Sequence, residues 1–326
     1  MTLKELIRRL TGAAGVEFRA NQAGSLLRDE LTELRAGLAA QQREIASLQD
    51  RLADSLQNSE ASQAETSRVA ARVEHVARFT IAAGWHALDR IEALTPARRL
   101  SCLACTHTAL ESEFATREDA CIFGGGRLIR QECPHCGCVF GPQKYLSLPA
   151  DVIDLDYTQL YSAYAEGDST DGEIRTFRAL SPKPGGRYLN WGSGAWSGAI
   201  DRLRAEGFDV WGYEPNAGVA HPHVITSLDQ LAGPYDGIFS HNVIEHLLDP
   251  ARQFAEFAAL LTPKGLMAHA SPCYAWSYGF TRYHVFFPIG QAPHALADRT
   301  GFRITDAVDD GDFRVRVFER VSASPS

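Results

Sequence analysis

The 326-residue chain is 45% hydrophobic and 22% charged with a formal net charge of −8, a balance that suits a folded globular protein and excludes fibrous or low-complexity architecture. The acidic balance gives no general electrostatic footprint for wrapping nucleic acid, which disfavours a nucleic-acid substrate. No apolar run approaches the ~20 residues that span a bilayer, and the N-terminus lacks a secretory apolar core, so the expected location is cytoplasmic.

Over residues 1–20, Leu3, Leu6, Ile7 and Leu10 share one face of an expected short amphipathic helix. It either packs on protein or makes a weak peripheral membrane contact, because one short helix buries little apolar area. From Leu27 to Val76 a heptad register follows. One position reads Leu31, Leu38, Ile45, Leu52, Ser59, Thr66 and Val73, and the other reads Leu27, Leu34, Gln41, Leu48, Ser55, Ser62, Val69 and Val76. This predicts a helical coiled coil over 21–97 whose apolar seam joins a homo-oligomer through its first half. As one unbroken helix, the register would reach about 75 Å. The polar run Ser55, Ser59, Ser62 and Thr66 leaves a solvated helix or a linker as the alternative.

Six of the seven cysteines lie between Cys102 and Cys138, a clustering that favours metal binding over a disulfide framework where no secretory leader is expected. Cys102-Leu-Ala-Cys105 and Cys133-Pro-His-Cys136-Gly137 are two C-x-x-C pairs within 98–145. Each turn sets two thiolates on one side of a tight knuckle, and two knuckles complete a tetrahedral structural Zn2+ site with no open position for catalysis. Cys121 and Cys138 are surplus and could replace a ligand; His107 and His135 read as spectators.

Residues 146–320 form the last expected domain. Tyr157, Tyr161 and Tyr164 share a helix face that either packs into a core or lies over a pocket as a lid, and Glu166 to Glu173 reads as a loop. Residues 186–216 then read as strand, glycine turn, helix and strand, ending on Glu214. Gly192 and Gly194 supply the turn, which lets backbone approach a ligand closely, and an acid about 20 positions on can hold a ribose hydroxyl pair. Strand candidates follow at 223–226, 235–240 and 266–270, with helices from Pro250 and around 293–300, and a terminal hairpin from 302–308 and 313–318. Strands alternating with helices and closing in a hairpin give an α/β fold with a mostly parallel sheet and an antiparallel edge.

The stretch Tyr235-Asp-Gly-Ile-Phe-Ser-His-Asn-Val-Ile-Glu-His-Leu-Leu-Asp-Pro250, together with the glycine turn, resembles the class I S-adenosylmethionine-dependent methyltransferases. With the upstream C-x-x-C pairs, the order resembles bacterial sugar- and polysaccharide-pathway methyltransferases that carry an N-terminal zinc-binding module. The resemblance implies a Rossmann-like seven-stranded methyltransferase sheet preceded by a zinc-ribbon-like module and, outside the resemblance, the coiled-coil helix. It further implies that S-adenosylmethionine lies over Gly192 and Gly194, with Glu214 on the ribose, Leu228 and Asp229 near the adenine, and His241 and Asn242 beside the sulfonium. Such proteins carry an acid where this chain has Asn190, and a small residue in place of Trp196. Asn190 can hydrogen-bond the cofactor's amino group but cannot pair with its charge.

Methyl transfer to a hydroxyl needs alignment and loss of a proton. His246 is the first candidate base, with a structural hydrogen bond as its alternative reading; Tyr283 and His284, in the aromatic loop after the fifth strand, are the other catalytic candidates. The expected acceptor is a sugar, nucleotide-sugar or glycan precursor. The alternative is a non-catalytic methyltransferase-like scaffold that recruits a partner through the coil. A nicotinamide oxidoreductase shares the turn and the acid but not the Tyr235–Pro250 segment.

Overall fold

The computed structural model describes residues 5, 31–49, 60–96, 98–163, 167–194, 198–217 and 220–321. It divides into two compact units, Met1–Trp85 and His86–Ser326. The 1–10 amphipathic segment lies outside the described residues apart from Glu5, and so does Trp196.

In the first unit, α1 (31–49) and the start of α2 (Glu60–Leu94) are helical, as the heptads predict. The chain folds back on itself here. Arg72 pairs with Glu44, and the Thr80 hydroxyl donates to Gln41 Oε1 at 3.1 Å. In one continuous helix, positions 28 apart would stand about 42 Å from each other. The unbroken rod is therefore replaced by two helices side by side, and Leu48 and Val69, both 3% exposed, are buried where the register asks for partners. Leu31, Leu34 and Leu38 remain exposed in this unit.

The second unit begins with the cysteine-rich region: β1 (Arg99–Ser101) pairs with β2 (Thr108–Leu110), and β3 (Ala115–Ala120), β4 (Arg127–Glu132) and β5 (Val139–Phe140) form a second antiparallel sheet. Helices α3 (Gln143–Leu146), α4 (Ala150–Ala163) and α5 (Thr170–Ala179) follow; residues 167–169 are irregular as expected, and α5 takes the place of the expected loop over 170–173. Its start is helical because Asp168 accepts from the Thr170 amide at 2.9 Å and because Thr176 and Phe177 bury one face.

The main sheet uses β6 (Arg187–Trp191), β7 (Asp209–Tyr213), β8 (Val224–Ile225), β9 (Tyr235–His241), β10 (Leu261–Ala270), β12 (Phe302–Asp310) and β13 (Phe313–Arg320), interleaved with α6 (Ala199–Ala205), α7 (Pro250–Leu260), β11 (Phe286–Phe287) and α8 (Ala292–Thr300). Its order is β12-β13-β10-β9-β6-β7-β8, with all strands running in one direction except β13, which is antiparallel to both of its neighbours. This is the expected seven-stranded Rossmann-like sheet. Both faces are covered, so the strands read as apolar runs. Tyr188, Val210, Phe239 and Val315 pack with Phe177, Ile200 and Leu203 on the side of α5 and α6. On the other face, Trp191 and His269 pack against Phe257 of α7, with ring centroids 5.0 and 5.2 Å apart. Asp249 caps α7 by accepting from the Arg252 amide, with Pro250 in its first turn.

The sheet order reverses between β6 and β9, which places the ligand crevice at their carboxyl ends. One connection crosses the expected 145/146 domain boundary. β11, from the loop after β10, pairs with β5 in the order β11-β5-β4-β3. The cysteine-rich region and the aromatic loop thus share one sheet.

Candidate functional site

The glycine turn leaves β6 as the sequence predicts. Gly192 has φ +70°, and a Cβ there would stand 2.6 Å from Val243 Cγ2; Gly194 has φ +63°. Both need the left-handed region that glycine enters without penalty. The amides of Gly192 and Ser193 both donate to the Tyr213 carbonyl, at 2.8 and 3.2 Å. Glu214 Oε2 accepts from the Gly194 amide at 3.2 Å, and Oε1 accepts from the Asn216 amide at 3.0 Å. The turn and its acid, separate in sequence, are one hydrogen-bonded unit. Leu228 and Asp229 lie on a short turn after β8, with Leu228 53% exposed.

Asn190 is fully buried, and its Nδ2 donates to Glu173 of α5. Glu173, 3% exposed, also accepts from the Ser169 hydroxyl. An acid therefore does stand beside this position, delivered by another element. The sequence signal for Glu173 was hidden by reading its segment as a loop. Among the described residues, Asn190 Oδ1, Ser193 Oγ and His241 Nδ1 are buried polar atoms with no hydrogen-bond partner. Buried polar groups are ordinarily satisfied, so these three, around a turn that tolerates no side chain at Gly192, fit a polar ligand.

A cavity of about 810 Å³ opens at the carboxyl end of β9. Phe123, Tyr157, Tyr278, Phe280, Tyr283 and Phe313 supply aromatic walls, His241, Asn242, Glu245, His246 and His284 its floor, and Asp168, Asp171 and Asp312 an acidic border. Asn242 bends the chain out of β9 with φ +57°, a conformation asparagine tolerates better than most residues. Gly172 lets α5 approach, because a Cβ there would stand 2.5 Å from His241 Nε2.

His246 sits on the short turn Ile244–His246, and its Nδ1 lies 3.1 Å from the Tyr283 carbonyl. A proton on Nδ1 donated to that carbonyl leaves Nε2 with a lone pair. Burial lowers the pKa of His241 and of His246 to about 4 each, and that of His284 further still. All three are neutral at physiological pH. The His246 and His284 ring centroids are 4.8 Å apart, and Tyr157 packs edge-on against His246 at 5.8 Å.

Tyr283, the second catalytic candidate, has its hydroxyl engaged within the protein. Its hydroxyl donates to the Asp156 carbonyl at 3.2 Å and accepts from Arg282 Nη2 at 2.6 Å, and burial raises its pKa. The hydroxyl is committed to the scaffold, and the ring faces the cavity. Arg282 grips Asp156 through two 2.7 Å bonds and donates to the Phe123 carbonyl at 2.6 Å. Arg130, 0% exposed, donates to the carbonyls of Gly141, Gly279, Thr281 and His284. These arginines bind the β3–β4 tip, α4 and the aromatic loop into one wall. Neither could be assigned from local sequence, since each meets its partners across distant segments. Tyr157 reaches the cavity; the Tyr161 and Tyr164 side chains lie outside the described residues.

The four Sγ atoms of Cys102, Cys105, Cys133 and Cys136 lie within 4.8 Å of one another, with Cys102–Cys136 and Cys105–Cys133 each at 3.6 Å. Ligands 2.3 Å from a tetrahedral ion stand about 3.8 Å apart, so the quartet fits zinc. Both knuckles close as their spacing predicts: the Thr106 amide donates to Cys102 and the Gly137 amide to Cys133, at 3.1 and 2.9 Å. Cys138 is buried outside the quartet, Cys121 lies 3.7 Å from Arg282 Nη1, and His107 stacks on His135 at 4.5 Å.

Residues 170–307 match the family described as methyltransferase domain. No protein of curated function matches the chain. Among solved structures, an S-adenosylmethionine dependent methyltransferase from Mesorhizobium loti is 19% identical, with 46% of this chain and 98% of that one covered and a TM-score of 0.34. The 1,6-didemethyltoxoflavin-N1-methyltransferase of Burkholderia thailandensis is 14% identical, with 60% and 96% covered and a TM-score of 0.42. A Haloferax volcanii complex between the Trm112 methyltransferase activator and a methyltransferase is 12% identical over 54% and 97%, with a TM-score of 0.39. The matched stretch holds the glycine turn and the floor of the cavity. It is a methyltransferase domain, and the enzyme class is S-adenosylmethionine-dependent methyl transfer.

Proposed function

We propose that this enzyme methylates a hydroxyl of a sugar or glycan precursor, bound in the 810 Å³ cavity beside the glycine turn. The carrying observation is the cavity's composition. Aromatic faces suit the C–H face of a sugar ring, and a border of Asp168, Asp171 and Asp312, in which Arg175 is paired with Asp310, suits neutral hydroxyls or an amino group better than phosphate.

When bound over Gly192 and Gly194, S-adenosylmethionine supplies a methyl group on a sulfonium sulfur. Glu214, which accepts from the turn amides, would hold the ribose hydroxyls, and the Asn190–Glu173 pair would hold the amino group. His241 and Asn242 border the sulfonium, and Leu228 and Asp229 the adenine. The floor of the cavity aligns the acceptor oxygen for in-line displacement. Nε2 of His246 would take the proton that the acceptor hydroxyl loses when it is methylated. Tyr283 and His284 position acceptor and base.

The test is cofactor binding. At 100-fold excess over its dissociation constant, S-adenosylmethionine stabilises the native protein by about 2.7 kcal/mol, visible as a raised melting temperature. Glu214→Ala is expected to lose that shift while keeping a cooperative unliganded melt. No shift for the native protein at millimolar cofactor would sink the reading.

The Cys102, Cys105, Cys133 and Cys136 quartet holds a structural Zn2+ in this reading, and Leu31, Leu34 and Leu38 join a second copy in a homo-oligomer. The exposed leucines support the latter. Leu31→Asp with Leu38→Asp in the full chain is expected to lower the mass measured by light scattering; an unchanged oligomeric mass would reject this seam as the contact. Among the described residues, no helix is long and apolar enough to cross a membrane. The proposed location is the cytoplasm.

A further inference from the structure

We propose that Glu245, His246 and His284 form a second metal site, for a divalent first-row transition cation, on the floor of the acceptor cavity. One donor atom from each residue lies within 4.8 Å of the other two, and all three residues line the cavity. Donors 2.0–2.2 Å from one ion stand about 3–4.4 Å apart, so donors already gathered within 4.8 Å of one another are placed to converge on a single ion.

The surroundings already orient the donors. The Val285 amide donates to the Glu245 carbonyl at 2.9 Å, which fixes the Ile244–His246 turn against the loop carrying His284. The Tyr283 carbonyl, 3.1 Å from His246 Nδ1, fixes that ring with Nε2 available. An imidazole held by a backbone carbonyl through its other nitrogen is the usual outer-sphere support of a histidine ligand. Glu245, 1% exposed, supplies the negative charge.

Two imidazoles and one carboxylate are a donor set for Mn2+, Fe2+, Co2+ or Zn2+. The cysteine quartet is chemically distinct: four soft thiolates close the shell of their ion, whereas three ligands on a cavity floor leave positions for an acceptor oxygen. A cation there polarises that oxygen and lowers the pKa of its hydroxyl; in the metal-loaded form Nε2 of His246 is a ligand, and the hydroxyl proton passes to water in the cavity in place of Nε2. That catalytic consequence rests on the methyl-transfer reading; binding of the ion does not.

The experiment uses full-length protein carrying one zinc per chain, without cofactor or acceptor. Titration with Mn2+, followed by electron paramagnetic resonance of the free ion, is expected to show about one Mn2+ per chain. Co2+ is expected to give visible d–d bands without the thiolate-to-cobalt charge-transfer band of a cysteine site. Glu245→Gln and His284→Ala are each expected to weaken binding at least ten-fold while keeping the zinc and the native circular dichroism. If one variant does not fold, the other and the Co2+ spectrum decide. Absence of Mn2+ and Co2+ binding at millimolar metal overturns the proposal, as does binding that survives substitution in a folded variant. Failure of S-adenosylmethionine to bind, with Mn2+ binding intact, would instead sink only the methyl-transfer reading.

Discussion

Arg130→Ala is expected to destabilise the protein by about 5 kcal/mol, near the top of the range for single substitutions. Arg130 is 0% exposed, and its guanidinium serves carbonyls of Gly141, Gly279, Thr281 and His284 at 2.6–3.1 Å. Hydrogen bonds to a charged donor contribute roughly 1.5–3 kcal/mol each, and a carbonyl left buried without one bears its desolvation cost. The guanidinium also lies 5.1 Å from the Phe287 ring centroid and 5.8 Å from that of Trp276. Burial pulls its pKa down to about 10, so it stays charged at neutral pH. Arg130→Lys is expected to rescue little, because one ammonium cannot replace a planar fork that serves several carbonyls. Arg117→Ala is the control: Arg117 is 35% exposed and pairs with Glu132, a contact worth at most about 1 kcal/mol. Denaturant unfolding of the three variants checks the ranking. A loss at Arg130 no larger than at Arg117 would show that the carbonyls find other donors.

Cys133→Ser is expected to remove the Zn2+ proposed for the cysteine quartet and unfold the β3–β4–β5–β11 sheet. Structural zinc contributes about 10–16 kcal/mol of apparent binding free energy in small domains, comparable to the whole stability of many proteins. Cys133 begins the second knuckle, with its Sγ 3.6 Å from Cys105 Sγ. Because β11 belongs to this sheet, the loss should spread to the aromatic loop and His284. Cys138→Ser is expected to keep the zinc, since Cys138 lies outside the quartet. Elemental analysis and thermal melting decide the matter. Native zinc content in folded Cys133→Ser would refute the ligand assignment.

These two predictions differ in how visible their residues are before folding. Cys133 announces itself through spacing to Cys136 and Gly137, because a metal knuckle is a local object. Arg130 is one of many arginines, and its partners lie in a segment about 150 residues away. The same division runs through the cofactor pocket. The glycine turn and Glu214 follow from strand, turn and strand in order, whereas Glu173 reaches Asn190 only because α5 packs across the end of β6. The polar sequence of 166–173 carries no local signal for that carboxylate's role. His246 and His284 were both legible as candidates, but their proximity to each other and to Glu245 was not.

What the sequence determined by itself was therefore periodic or local: the strands and helices of the sheet, the terminal hairpin, the glycine turn, the two cysteine knuckles and the heptad faces of α1 and α2. Hydrophobic period and steric demands such as the positive φ of Gly192 act over a few residues, so they survive being read without a fold. Tertiary structure alone decided that α1 and α2 lie side by side, that β11 joins the cysteine-rich sheet, and that Arg130, Arg282 and Glu173 are buried. A buried charge must meet its partners wherever the topology brings them. In this chain those partners sit on other elements, and the contacts they make are the ones that shape the cavity.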